Sequence, residues 1–172
     1  MGRDKALLPF RGASLVEHVA RAAAEAAGSV MLVGCPARYS HLSYPVVEDL
    51  APGCGPLGGI HTALTVTGAD WNLVVACDMP EVTGPFLSAL LEAARSADAD
   101  CLLPSSDSGR PEPLCAVYHR RCLPGITAAL ERSVRKVTAA LAGLQVVGWN
   151  PPQPDSFRNV NTPRDWRSYL HG

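Results

Sequence analysis

A carboxylate that directly follows an apolar segment is the first candidate for chemistry in this sequence. Asp78 ends the apolar run 71–77 and is followed at once by Met79 and Pro80. An apolar run without alternation is typical of a strand buried on both faces of a parallel sheet. Ligands of such sheets bind just beyond the carboxyl ends of the strands. Asp78 is therefore a candidate ligand of a hard cation beside a phosphate, although a carboxylate here would equally suit the cap of the next helix.

Three further features could meet Asp78 at one edge of the predicted sheet. Lys5 could reach a phosphate as a point charge, and Asp49 ends a second short apolar segment. The glycine-rich loop 53–59 precedes a helix, so its backbone N–H groups could approach a nucleotide closely. Each feature also has a plain interpretation: a solvated lysine, a helix cap and a connecting loop.

Two amides form a second candidate group near the end of the sequence. Asn159 and Asn161 flank Val160 in an extended segment, which places both amides on one side of the chain. They could grip a substrate or complete a metal shell. They could also satisfy backbone groups in a turn.

Alternating strand and helix signals must position these residues. Ser14 with Glu17 predicts a capping box at the start of a helix that Gly28 ends, and Thr83 with Pro85 predicts another helix start. Strands that alternate with helices indicate an α/β fold with a mostly parallel sheet. The strand predicted at 114–118 could run antiparallel, at or near an edge.

Composition limits the classes of function. The chain has 172 residues, of which 47% are hydrophobic and 18% charged, and its net charge is −1. A chain of this length suits one domain, residues 1–172. With no basic run, neither nucleic acid nor a membrane is expected as a partner. The six cysteines form no CxxC pair, so we expect reduced thiols in a cytoplasmic protein, with a zinc site as a remote alternative.

The motifs taken together resemble one family, the molybdenum cofactor guanylyltransferases. The similarity covers nearly the whole chain, and its motifs occur in the family's order at 1–8 (MGRDKALL), 55–60 (GPLGGI), 77–80 (CDMP), 110–114 (RPEPL), 116–118 (AVY) and 159–163 (NVNTP). The first and third motifs are shared by many nucleotidyltransferases. The motifs at 110–114, 116–118 and 159–163 point more narrowly to the guanylyltransferases.

The resemblance implies a three-layer Rossmann-like nucleotidyltransferase with helices on both faces of the sheet. Such an enzyme transfers GMP from GTP to the phosphate of molybdenum-bearing molybdopterin, with Mg²⁺ as cofactor. The expected roles follow residue by residue: Lys5 binds phosphate, Asp49 binds GTP, Asp78 binds Mg²⁺ and nucleotide, Gly58 and Gly59 lie near the nucleoside, and Arg110, Asn159 and Asn161 face the pterin substrate. A monomer, with contacts to cofactor-insertion proteins or molybdoenzymes, is compatible with this class.

The sequence departs from the family pattern at its start. The family begins with a strand and a glycine-rich loop before the Met-Gly at which this chain starts. We expect the missing piece to include a central strand of about 5–6 residues. Either translation has been assigned to an internal methionine or the chain is a genuine truncation, and we favour the first because the sheet would otherwise expose two unpaired strand edges. A smaller departure is Val33-Gly34-Cys35, where some family members offer an asparagine to the nucleotide.

Three alternatives remain at this point. A sister enzyme could use CTP or another phosphorylated acceptor on the same fold. The chain could instead be a binding remnant without turnover. A related glycosyltransferase is disfavoured, because the nearest match to an Asp-x-Asp metal motif, residues 98–100, precedes a strand.

Overall fold

A computed structural model describes residues 4–106 and 108–151. A single 3₁₀ turn, Lys5–Leu7, opens the described chain. The strands are β1 (Pro9–Phe10), β2 (Ala13–Ser14), β3 (Leu32–Val33), β4 (Val46–Val47), β5 (Trp71–Val75), β6 (Cys101–Pro104), β7 (Cys115–His119) and β8 (Val146–Trp149). The α-helices are α1 (Leu15–Ala27), α2 (Pro36–Tyr39), α3 (Pro56–Val66), α4 (Gly84–Ser96), α5 (Leu123–Glu131) and α6 (Val137–Ala140).

The main sheet has four strands in the order β5-β7-β6-β8. β7 runs antiparallel to both of its neighbours, and β6 is parallel to β8, so three of the four strands point the same way. The antiparallel direction predicted for residues 114–118 is confirmed, but this strand lies inside the sheet with a partner on each side. The main sheet is therefore mixed, and β3 and β4 form a separate parallel pair.

Helices cover both faces of the main sheet, which makes the fold the expected three-layer α/β arrangement. Side chains alternate along the strands: Leu102 and Val117 pack with α1 and α4, whereas Leu103 and Tyr118 pack with α3, α5 and α6. This alternation follows from the two-residue period of a strand. β6 is buried at all four residues, as a strand between two helical layers must be.

Local signals fix the helix ends as predicted. The Ser14 and Glu17 capping box starts α1, and Gly28 ends it in the left-handed conformation at φ 79°. Thr83 caps α4 by accepting a hydrogen bond from the Phe86 N–H at 3.4 Å. The helical stretch after β7 breaks at Ser133, which adopts φ 61°.

A cavity of about 850 Å³ lies between β3 and β5 and is lined on its other sides by residues of α1 and α3. Because of this cavity, β5 differs from the sequence-based expectation of a strand buried on both faces. Of its five residues only Asn72 is buried, and the others are partly exposed.

Among the described helices, none has the length and apolarity needed to cross a membrane.

Candidate active site

The carboxyl end of β5 delivers Asp78 to the cavity wall, as the sequence predicts. Residues 77–78 form a turn after the strand, and Met79 and Val82 anchor it, each with about 1% of its surface exposed. The alternative role of Asp78 as a helix cap is wrong, because Thr83 caps α4. Within the described residues the Asp78 carboxylate has no hydrogen bond and no ion pair, which leaves both oxygens for a ligand.

Lys5 lines the same cavity as Asp78. It is the first residue of the 3₁₀ turn, whose buried Ala6 anchors it in the core and whose N-terminus is capped by Asp4. The described part of the chain offers the Lys5 ammonium no carboxylate within ion-pair distance. A cation and an anion that do not neutralise each other therefore face one cavity.

The pKa of the Cys77 thiol depends on burial and on the charged groups at this end of the cavity. Burial raises its pKa to about 11, with further increases from Asp78 and Asp4 and an opposing effect from Lys5. The thiol is consequently protonated near neutral pH and is a poor nucleophile. Cys77 is therefore not suited to act as a covalent nucleophile at this site.

Asp49 lies in the segment after β4, where its carboxylate accepts two hydrogen bonds. Its Oδ1 accepts hydrogen bonds from the Ala51 N–H at 2.9 Å and from the Thr62 hydroxyl at 3.0 Å. Thr62 is fully buried, and its oxygen also accepts from the Leu50 N–H at 2.9 Å. Oδ1 is thus saturated and stabilises the turn, while Oδ2 has no partner among the described residues and can accept from a ligand.

The two glycines at the start of α3 differ in their surroundings. A Cβ on Gly58 would lie 2.6 Å from the Ala51 carbonyl and 3.3 Å from Asp49 Oδ1. Gly58 therefore allows the helix to pack against the Asp49 turn. A Cβ on Gly59 would meet nothing within 4 Å, and Gly59 lines the cavity, so its backbone is open to a ligand.

The residues at the cavity fit a divalent cation held mainly by substrate. No group of three or more His, Cys, Asp or Glu side chains suited to a metal occurs in residues 4–106 and 108–151. A single free carboxylate such as Asp78 still suffices for Mg²⁺, which keeps several waters and takes its other ligands from substrate phosphates. Asp100, in the near match to an Asp-x-Asp motif, instead accepts from the Gln145 N–H at 2.8 Å and pairs with Arg121.

The predicted acceptor residues are placed only in part. Arg110 lies in an exposed loop, where its Nε donates to Ser108 Oγ at 3.1 Å, and it is not among the residues that line the cavity. Asn159 and Asn161 lie outside the described residues. Their roles stay predictions.

Neither Tyr39 at the cavity nor Thr62 beside Asp49 is predicted from the sequence. Tyr39 lines the cavity and donates its hydroxyl hydrogen bond to Asp4 Oδ2 at 2.7 Å, and Thr62 holds Asp49. Their partners are 35 and 13 positions away in the chain. A local motif carries no signal for such contacts.

A family match identifies the class of protein that has this fold and cavity as the nucleotidyltransferases. The family model described as "MobA-like NTP transferase domain" matches residues 1–146. The chain belongs to this MobA-like family of nucleotidyltransferases.

Curated relatives and solved structures agree with this assignment. A probable molybdenum cofactor guanylyltransferase of Nostoc sp. is 35% identical over 96% of this chain and 82% of its own length. A molybdenum cofactor guanylyltransferase of Vibrio parahaemolyticus is 29% identical over 95% of this chain and 85% of its own. The crystal structure of molybdopterin-guanine dinucleotide biosynthesis protein A from Archaeoglobus fulgidus superposes with a TM-score of 0.80 at 29% identity, covering 97% of this chain and 89% of that one.

Proposed function

We propose that this protein transfers GMP from GTP to the phosphate of molybdenum-bearing molybdopterin, giving molybdopterin guanine dinucleotide and pyrophosphate. The carrying observation is that Lys5 and Asp78, neither paired with another described residue, line one cavity. The names of the relatives supply the acceptor and the nucleotide. We also propose that the 172 residues form one catalytic domain and work in the cytoplasm, where the free thiols of all six cysteines would stay reduced.

The reaction needs positioning and charge neutralisation more than covalent help. An oxygen of the acceptor phosphate attacks the α-phosphorus of GTP, the bond from that phosphorus to the bridging oxygen breaks, and pyrophosphate leaves with its electron pair. Because the attacking oxygen is already ionised, no general base is required. Lys5 would hold the triphosphate and offset the negative charge that develops on it.

Asp78 is the residue that would hold Mg²⁺ in this scheme. When bound, Mg²⁺ neutralises charge on the phosphates during transfer. The carboxylate is well suited to this role because no other described side chain competes for it. Asp49 Oδ2, Gly58 and Gly59 would frame the nucleoside, with Arg110, Asn159 and Asn161 on the acceptor side.

Activity with defined substrates tests the proposal. Purified protein should convert GTP and molybdenum-bearing molybdopterin to the guanine dinucleotide in the presence of Mg²⁺, measured by liquid chromatography of the product. Asp78→Asn and Lys5→Gln should each lower kcat at least roughly a hundredfold, as expected for groups that neutralise transition-state charge. Asp98→Asn and Lys136→Gln are matched controls at exposed positions and should keep wild-type rates.

Two results would contradict the proposal. Equal or faster incorporation from CTP would reject the guanylyl assignment in favour of a cytidylyltransferase. Near-normal turnover by Asp78→Asn would remove that carboxylate from the reaction.

A further inference from the structure

The turn that carries Lys5 cannot be rigid by itself. It is a single 3₁₀ turn of three residues, and so short a segment is not stable without contacts to other parts of the fold. At its C-terminal end the Leu8 carbonyl accepts from the Leu15 N–H at 2.9 Å. At its N-terminal end the cap is Asp4, whose Oδ1 accepts from the Ala6 N–H at 3.1 Å.

Tyr39 supplies the contact that fixes Asp4. Its hydroxyl donates to Asp4 Oδ2 at 2.7 Å, a short hydrogen bond to a charged acceptor and therefore a strong one. Arg38 lies 3.7 Å from the same oxygen, but its side chain is 67% exposed, and ion pairs that exposed contribute little. Burial and the Asp4 carboxylate raise the pKa of Tyr39, so the phenol keeps its proton and remains a donor.

The position of the Tyr39 ring is set by Gly34. A Cβ on Gly34 would lie 2.9 Å from Cε2 and 3.3 Å from Cδ2 of the ring, closer than a side chain tolerates. The missing Cβ thus lets the ring of Tyr39 pack against the backbone just after β3. From there the hydroxyl reaches Asp4, which lines the same cavity as Tyr39 and Lys5.

We propose that Tyr39 is a positioning residue for Lys5: it holds one oxygen of Asp4, and the other oxygen of Asp4 caps the turn on which Lys5 stands. The inference rests on the proposed function for the role of Lys5 itself. Tyr39 need not touch the nucleotide. It fixes the backbone from which the lysine side chain reaches the phosphates.

A phenylalanine substitution separates the hydroxyl from the ring. Tyr39→Phe should lower kcat/KM for GTP by roughly tenfold, the loss expected when a hydrogen bond to a charged group is removed. Tyr44→Phe, at a tyrosine with no hydrogen bond within the described residues, is the matched control and should stay at the wild-type value.

A double variant tests whether Tyr39 acts through Lys5. If it does, Tyr39→Phe should change kcat/KM little when it is added to Lys5→Gln, because residues of one pathway are not additive. If the two losses multiply instead, Tyr39 acts elsewhere and the proposal is wrong. A purely structural role would also give multiplying losses.

Amide hydrogen exchange gives a readout that does not depend on turnover. Tyr39→Phe should speed exchange at Ala6, whose N–H depends on the Asp4 cap. If Lys5→Gln keeps wild-type activity, the proposed role of Lys5 fails, and faster exchange at Ala6 would still support the contact. If Lys5→Gln is inactive but Tyr39→Phe changes neither exchange nor kcat/KM, the positioning proposal fails alone.

Discussion

Gly58 and Gly59 are neighbours in the chain, but only one of them has packing that explains its lack of a side chain. Gly58 lies against the Ala51 carbonyl and Asp49, whereas Gly59 faces open space at the cavity. The sequence marks both as part of one glycine-rich loop and does not distinguish them. The difference becomes visible only when α3 is packed against the turn at Asp49.

An alanine at each of these glycines should have opposite effects. Gly58→Ala should lower the free energy of unfolding by about 1–3 kcal/mol, the usual cost of overpacking. Gly59→Ala should leave it unchanged or raise it by up to about 1 kcal/mol, since alanine favours helix, while weakening GTP binding. Urea unfolding and calorimetric titration with GTP and Mg²⁺ measure the two quantities. Wild-type GTP affinity in Gly59→Ala would show that this backbone does not approach the nucleotide.

At the residue scale, the sequence indicates the candidate reactive residues more readily than the residues that hold them in place. Lys5 and Asp78 stand in motifs with recognisable residue types, so the sequence indicates them directly. Thr62 and Tyr39 lie in no such motif, because the role of each depends on a hydrogen bond that forms only in the folded protein. A threonine in a helix is also an ordinary residue, and only its full burial beside Asp49 marks it.

At the scale of elements, local chemistry was sufficient for most boundaries. The capping box at Ser14 and the cap at Thr83 were both predicted and are both confirmed. The apolar run alone does not indicate the partial exposure of β5, since it shows what environment a strand prefers and not what packs beside it. The central position of β7 depends on strand order, which local patterns do not encode.

Helix α1 also holds the turn that follows Asp78. His18 Nε2 lies 3.1 Å from the Pro80 carbonyl, so the neutral ring donates there. The rings of His18 and Phe10 form a T-shaped pair with their centroids 4.7 Å apart. Burial is the main cause that lowers the pKa of His18, the Pro80 carbonyl opposes it, and Arg11 and Arg21 lower it further. The charged form is therefore disfavoured in the folded protein.

The lowered pKa of His18 predicts a specific loss of stability in mild acid. As pH falls below about 6.5, the ordinary histidine value, the unfolded chain binds a proton that the folded chain does not, so the free energy of unfolding decreases. His18→Gln keeps a donor for Pro80 but does not titrate. Urea unfolding at pH 7.5 and 5.5 should show wild type losing more stability than the variant. Equal losses would mean that His18 titrates alike in both states.

At the scale of the whole molecule, the two strand walls of the cavity are held unequally. β5 pairs with β7 along all five of its residues, whereas β3 and β4 pair with each other over only two residues each. Elements with few buried contacts open at lower free energy. The β3–β4 side should therefore be the more mobile wall of the cavity, and a ligand that touches both walls should stabilise the fold as a unit.

Thermal unfolding should report that stabilisation. At a GTP concentration about a hundredfold above Kd, binding adds about 2.7 kcal/mol to the free energy of unfolding, and in a chain of this size each kcal/mol raises Tm by about 2–4 °C. GTP with Mg²⁺ should thus raise Tm by roughly 5–10 °C. The part of this increase in Tm that depends on Mg²⁺ should disappear in Asp78→Asn and persist in the exposed control Asp98→Asn. Because the shift comes from binding and not turnover, it separates a failure to bind nucleotide from a failure to transfer it. An equal shift from CTP would place nucleotide selection outside this cavity, and no shift from either nucleotide would remove the cavity as the nucleotide site.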